Sequence, residues 1–434
     1  MGGLRRIVAA VKGTVRYKLL VLVLFPILLV MPIAVLLASY WGTNFTYDQL
    51  YIKVNTDLSV ADDIFRRIRV DYLEKLGRLA ESHSFRKALE ADDGQAIHQQ
   101  IQNLSTAAGF TYLHLVDPSG NWLHDSTGQS RSSAMLLHAN QGQPQAGVEI
   151  FSAEDLTREF PRLADMNRLS LIETPRARPT QRTFEDRGMM IRVIYPVKDA
   201  AGRVLALLDG GVLLNNNFQF VDTIRDLVYG AGSLPEGSIG TVTVFLDDVR
   251  ITTNVPLRPG ERALGTRVSN EVRSRVLDEG NTWIDRAFVV NDWYISAYEP
   301  IVDPEGQRIG MLYAGFLEAP FRSELWRALA ALVLLFLVLM VLSALVAVRG
   351  AKTIFKPIEA MSNVVRATRA GEDRRIGQVD SQDEIGELAR EFDSMLDLLQ
   401  QRSQEIRQWA DQLEVKVDER TAELKQKNTD LRST

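Results

Sequence analysis

Two stretches of this chain carry no charged residue at all. Residues 19–38 run for 20 positions in this way and residues 328–348 for 21. As helices each reaches roughly 30 Å, the thickness of a bilayer's hydrocarbon core. No third run of this kind follows, so a purely soluble protein and a multi-span channel are both excluded. Between the two, residues 42–82 place Ala61, Phe65, Ile68, Tyr72, Leu76 and Leu79 at three- and four-residue spacing. That period predicts a helix carrying the first span outward as a stalk. A second helix is expected over 95–108. A hairpin should then rise through 110–116, turn at Asp117, Pro118, Ser119 and Gly120, and return through 121–125.

An internal repeat follows at an offset of 104 residues. Pro196, Asp199, Gly202 and Gly211 align without gaps on Pro300, Asp303, Gly306 and Gly315. Each copy reads as a strand, a Pro/Asp/Gly turn and a returning apolar strand. Each also has an upstream partner hairpin, 110–126 for the first and 242–254 for the second. Two mixed α/β modules in series account for the pattern.

Charge decides the topology. The first 18 residues hold Arg5, Arg6, Lys12, Arg16 and Lys18 and no acid. Arg349, Lys352, Lys356, Arg366 and Arg369 follow the second span, with Glu359 the one acid before Glu372. Basic residues gather on the cytoplasmic side. Both termini are therefore expected inside a bacterial inner membrane, with residues 40–326 outside. A cleaved signal peptide fits less well, since the apolar run is too long and Leu36 stands at its −3 position. The net charge of −5 argues against a nucleic-acid partner, and the absence of Cys excludes disulfides and thiolate chemistry.

Past the second span, Ile354, Ile358, Met361 and Val365 predict a short helix beginning near Phe355. After a loop with Gly371 and Gly377, Asp383 and Glu384 open a second helix, where acids suit the positive helix end. Its residues Ile385, Leu388, Phe392, Met395 and Leu399 keep a three-four heptad spacing. No Gly or Pro occurs after Gly386, so the remaining 48 residues can form one helix. Phe392, Leu399, Ile406 and Leu413 form one heptad row, and Ala410, Val417, Leu424 and Leu431 another. The shift between the rows near Trp409 reads as a stutter.

Three resemblances attach to these residues. The stretch from Val244 to Asp247, through Arg250 to Val255, Gly265 to Val268, Trp293 to Pro300 and Gly310 to Gly315, resembles extracellular Cache domains. With the first module it is similar to a double Cache sensor. That resemblance implies two PAS-like antiparallel sheets on a long N-terminal helix. Pro357 with Asp383, Glu384, Ile385 and Gly386 resembles a HAMP domain, which implies a parallel four-helix bundle formed by two chains. Residues 413–424 resemble the linker before the phospho-accepting helix of sensor histidine kinases.

The expected architecture is therefore a multidomain membrane protein. It has a cytoplasmic N-terminus (1–18), a first span (19–40) and a double Cache sensor (42–322). The distal module covers about 83–215 and the proximal one about 236–320. A second span (326–348), HAMP (349–402) and a coiled-coil signalling helix (403–434) complete it. All five His lie at 83, 98, 114, 124 and 138, in the external region, and no glycine-rich nucleotide motif follows Gly386. The residues given should not act as a kinase. They read as the input half of a longer protein, or as a subunit serving a separate output protein.

Candidate ligand residues come from strand alternation. Tyr294, Ser296 and Tyr298 share a face in the second module, and the repeat places Arg192 on Ser296 and Asp209 on Tyr313. Arg192 and Asp209 sit in apolar strands, where they should either pair with each other or form a polar pocket. In the second case Arg192 would hold a small carboxylate or zwitterion in its fork. Tyr112, His114, Trp122 and His124 could complete the rim. A His pair without a third ligand does not make a metal site, so neither metal nor cofactor is expected. No nucleophile–base or carboxylate pair suggests catalysis, which disfavours an anchored external enzyme. The reading is a dimeric receptor relaying a small-molecule signal to a histidine kinase, with a chemoreceptor or nucleotide cyclase as alternative outputs. Pro357, Ile358, Met361, Asp383, Glu384, Ile385, Leu388, Phe392, Met395 and Leu399 would carry the relay.

Overall fold

The structure, a computed structural model, describes residues 15–124, 128–160, 163–164, 167–370, 372, 374–377 and 383–430. The basic residues Arg5, Arg6 and Lys12, the return at Asp125, Gly371 and Leu431 lie outside them. The chain divides into two compact units. One is Tyr40–Ala328, and the other joins the chain before it to the chain after it.

Helix α1, Val15–Ala80, runs 66 residues through Pro26 and Pro32 without a break. Its outer half is the expected stalk. Ala61, Phe65 and Leu76 are buried, and Ile68, Tyr72 and Leu79 pack against the same core. Helix α2, His83–Glu90, is capped by the Ser82 hydroxyl, and α3, Gly94–Ala108, by the Asp93 carboxylate. Gly109 ends α3 at φ 73°, a conformation that glycine adopts without strain.

Strand β1, Tyr112–Val116, leaves α3 and turns at Asp117, whose carboxylate accepts from the Ser119 and Asn121 amides. The return is shorter than the sequence pattern suggests. It keeps single bridges, such as Val116 to Trp122, rather than a full strand. Helix α4, Ala134–Asn140, leads to β2, Gln145–Phe151, and α5, Ala153–Glu159. A small hairpin, β3 Leu169–Ser170 with β4 Phe184–Glu185, precedes the long strands β5, Gly188–Lys198, and β6, Val204–Leu213. The distal sheet has the order β1-β6-β5-β2.

Helix α6, Phe218–Val228, links this module to the next. There β7, Gly240–Leu246, and β8, Val249–Thr253, form a hairpin. The short strands β9, Pro256–Arg258, and β10, Glu261–Arg262, and helix α7, Asn270–Arg273, cover one face. Strands β11, Trp283–Val289, β12, Asp292–Val302, and β13, Arg308–Leu317, complete a sheet ordered β11-β12-β13-β7-β8.

The repeat is structural. Strands β5 and β12 begin 104 residues apart, and so do β6 and β13. Arg192 pairs with Gly211 and Ser296 with Gly315, and the same bulge falls after Val197 and after Ile301. One core runs under both sheets against the stalk, holding Val193 and Leu208 from the first and Ile295, Ala297 and Leu312 from the second. Tyr294, Tyr298 and Tyr313 occupy the opposite face of the second sheet, as alternation requires. The edge strands differ in their connections. Residues 152–187 join β2 to β5, whereas only residues 290–291 join β11 to β12. The long connection reaches the second module, where the Ile172 amide donates to the Gly265 carbonyl at 2.9 Å and Ala177 bridges Ser269.

In the other unit, helix α8, Ala319–Arg369, continues without interruption through the expected start of a separate helix at Phe355. Pro320 stands in the first turn, where proline is tolerated, and a single Gly350 does not stop a helix sustained by 21 uncharged residues. Helix α9 spans Glu384–Asp430. Both α1 and α8 contain segments long and apolar enough to cross a membrane, and these apolar side chains are exposed on the protein. Past the membrane, Ala351, Pro357, Val364 and Ala367 of α8 and Ala389 and Leu396 of α9 are buried. The connector's Ile376 and Gly377 amides donate to the Asp393 carboxylate at 2.9 and 3.0 Å.

Candidate functional site

The distal face is built around a buried arginine. Arg192 on β5 is 0% exposed, and Asp209 on the paired strand β6 is 1% exposed. Nε donates to Asp209 Oδ1 at 3.0 Å and Nη2 to Oδ2 at 2.6 Å, a bidentate fork. Nη1 donates to Glu149 Oε2 at 2.9 Å and to the Ser133 hydroxyl at 3.2 Å, and Nη2 also reaches the Arg131 carbonyl at 3.1 Å. Five bonds satisfy the five donors of a guanidinium. Burial works to lower the Arg192 pKa and is outweighed by the Asp209 charge, which raises it well above the usual value. Burial likewise works to raise the Asp209 carboxyl, yet the Arg192 charge holds it below the carboxylate range. The two residues thus pair, the first of the two arrangements open to them.

Around this pair stand Tyr112, whose hydroxyl donates to Asp209 Oδ1 at 3.3 Å, and His114, stacked on Trp122 at 3.9 Å between centroids. Tyr112 also stacks on Phe160 at 4.5 Å. Glu159 closes the cluster. Burial pushes its carboxyl up to about 7 against the bond from Arg158 and the charge of Arg192. Sequence reasoning missed Glu149 and Glu159, since both precede the repeat and carry no offset signal. His124 does not join this face. Its Nε2 lies 3.3 Å from Asp92, and it lines a 310 Å³ cleft between α3 and β1 with His98 and Gln102. That cleft offers imidazoles, an amide and hydroxyls but no fixed charge among its lining residues.

The proximal face is made differently. Tyr298 and Tyr313 are buried with ring centroids 4.8 Å apart, and the Tyr313 hydroxyl meets Thr241 Oγ1 at 3.1 Å. Burial raises the pKa of Tyr294, Tyr298 and Tyr313, so all three hydroxyls stay protonated donors. Facing them is Arg250 on β8, 3% exposed, which strand alternation alone did not single out. Its Nη1 donates to Thr266 Oγ1 at 2.6 Å, while its Nε has no partner among the described residues. Among the described residues no cluster of three His, Asp or Glu side chains is placed to hold a metal ion.

The base of this module connects to both membrane helices. Glu318, 2% exposed, lies between the end of β13 and the start of α8. It accepts from the Tyr47 hydroxyl of α1 and from Arg286 Nη2 of β11 at 2.9 Å. Tyr51 of α1 donates to Asp285 of β11 at 2.9 Å.

The relay candidates fall on two surfaces. Pro357 is buried, whereas Ile358, Leu388, Met395 and Leu399 are 40 to 56% exposed. Met361, Ile385 and Phe392 are half-buried, and Asp383 and Glu384 are exposed at the start of α9. The Asp383 carboxylate accepts from the Ile385 and Gly386 amides at 3.1 Å, capping that start.

The family model described as single cache domain 3 matches residues 212–328, and the HAMP domain model matches 349–401. No curated protein matches the chain. Among solved structures, the chain is similar to the periplasmic domain of Vibrio cholerae LuxQ at 12% identity. That match covers 62% of this chain and 98% of the other, with a TM-score of 0.31. The Vibrio cholerae histidine kinase DctB sensor domain gives 14% identity, 62% and 97% coverage and 0.30. The ligand-binding domain of the Pseudomonas fluorescens chemoreceptor CtaA, in complex with L-isoleucine, gives 10% identity, 65% and 98% coverage and 0.35. The chain carries a Cache-type sensor and a HAMP domain, with two helices apolar and long enough to span a membrane. It is a transmembrane signal receptor, and the two matched regions are signalling modules rather than catalytic ones.

Proposed function

We propose that this receptor binds a small carboxylate-like or amino-acid-like ligand outside the bacterial inner membrane and controls a histidine kinase inside it. Both termini are cytoplasmic in this reading, and two chains pair in parallel through HAMP and the coiled coil. One observation carries the coupling. Glu318 is bonded at once to Tyr47 of α1 and Arg286 of the sensor sheet, one residue before α8 begins. A shift of that sheet therefore acts on both membrane helices at one point. Dimerisation is supported by the apolar row Ile358, Leu388, Met395 and Leu399, left exposed beside the buried row on the same helices. Ligand and packing bias the same two-state element only if ligand contacts differ between its states. The kinase output rests on the linker-like residues 413–424.

The test is a fusion. Joining the chain after Leu424 to the phospho-accepting and catalytic parts of a histidine kinase should give membrane-bound autophosphorylation. Inserting one residue at the junction should alter its level, because a helical relay depends on rotational phase. Autophosphorylation indifferent to that insertion would refute the relay.

A further inference from the structure

We propose that Arg250 is the anchor of a binding site for a short-chain monocarboxylate, enclosed on the covered face of the membrane-proximal module. This inference rests on the receptor reading and assigns its ligand class and place.

The argument begins with the repeat. The three charged residues that satisfy one another in the distal module are Arg192, Asp209 and Glu149. Their structural counterparts in the proximal sheet are Ser296, Tyr313 and, by strand pairing, Ala287. None is charged. Arg250 enters that face from elsewhere, on β8 opposite Phe245. The distal counterpart of Arg250 is Trp122, opposite Val116. The second module thus holds a buried cation where the first has Trp122, and it lacks the acids that the first carries at Asp209 and Glu149.

Among the described residues nothing compensates that cation. Arg250 is 3% exposed and its guanidinium lies 5.0 Å over the Phe245 ring. Neutral tyrosines, Tyr294, Tyr298 and Tyr313, are the groups among the described residues that act on its charge. Its side chain has one hydrogen bond among the described residues, to Thr266, and Nε is buried without a partner among them. Burying an unpaired charge is costly, and arginine stays ionised in proteins. A solute anion would supply the missing counter-charge. Nε and an Nη group present the fork that a carboxylate fills, and protonated hydroxyls stand nearby to donate. Val255, Val276 and Met311 share the face and suit a short acyl chain. A second carboxylate on the ligand would find no second cation among the described residues of that face. Arg192, by contrast, has no donor left to give.

The test uses the full chain in lipid nanodiscs, in a buffer free of small anions. Sodium acetate, propionate, chloride and succinate are titrated by calorimetry and by thermal unfolding. Propionate or acetate should bind once per chain and raise the melting temperature. Arg250→Gln should weaken binding at least about thirtyfold while the protein still melts cooperatively. Arg250→Lys should recover part of the loss, and Tyr298→Phe, which keeps the ring, should weaken binding severalfold even if Arg250→Gln does not fold. Arg258→Gln, on the surface, should bind as the unmodified chain does. Chloride or succinate binding as well as propionate would overturn the ligand class. Binding unchanged in Arg250→Gln would overturn the anchor while leaving the receptor reading intact. No binding of any anion would mean that water solvates Arg250, and the proposal would fail.

Discussion

Arg192 and Asp209 meet in a two-bond fork at 3.0 and 2.6 Å, and the residues at the same places one repeat later are Ser296 and Tyr313. The same backbone register therefore carries an ion pair in one module and an uncharged serine and tyrosine in the other. The distal pair closes its own module, since Glu149, Ser133 and the Arg131 carbonyl take every remaining donor of Arg192.

Removing one side of that pair should cost stability. Asp209→Ala leaves Arg192 buried with Glu149 as its remaining acid, so a loss of roughly 3–5 kcal/mol is expected. Denaturant unfolding of the full chain in detergent, followed by tryptophan fluorescence, measures it. A loss below about 1 kcal/mol would mean that the site relaxes to admit water.

The pH dependence of stability has a definite sign. Burial raises the carboxyls of Glu159 on α5 and of Glu299 on β12 to about 7, above the usual 4.5. A group raised in this way adds stability that is fully present below its unfolded value and is lost as pH rises through the folded one. The sensor should therefore lose stability between about pH 4.5 and 7 through these two groups. Asp209, held low, has the opposite sign and loses its contribution only in acid. Glu159→Gln with Glu299→Gln should flatten the melting temperature across pH 5 to 8 (about the range in which they titrate). An unchanged slope would show that neither carboxyl is perturbed.

Much of this architecture was legible in the chain. The 104-residue offset located strands β5, β6, β12 and β13, because a Pro/Asp/Gly turn with a fixed spacing sets the register of a hairpin. Alternation assigned Tyr294 and Tyr298 to one face and Ile295 and Ala297 to the other. The edge strands were not legible. Glu149 lies on β2, separated from β5 by residues 152–187, while the matching strand β11 is followed by a two-residue turn. The unequal connections shift the offset, so Glu149 had no visible counterpart. Arg250 was hidden in the same way, since Trp122 occupies its place in the first module and shares none of its chemistry. The continuous α8 was missed because Pro357 suggested a helix start, which a long preceding apolar helix overrides.

Topology can be read with a reporter. Ser233 lies in an exposed turn after α6, in the unit between the two spans. Alkaline phosphatase fused there should be active, because the enzyme matures only outside the cytoplasm. An inactive but stable fusion would place this unit inside and reverse the orientation expected from the basic flanks.

Signal transfer from sensor to cytoplasm is tested most directly by disulfide formation at Leu399→Cys in membranes, with and without Glu318→Gln. Leu399 is 56% exposed on α9, and Gln404, off its heptad row, serves as the control position. Crosslinking should be faster at 399 than at 404. Gln at 318 keeps one acceptor oxygen, so the bonds from Tyr47 and Arg286 cannot both persist, and the rate at 399 should change by roughly twofold or more, the effect of a mutation along a coupling path. Equal rates at 399 with and without the substitution, in chains that are both folded and inserted, would contradict a relay through this junction.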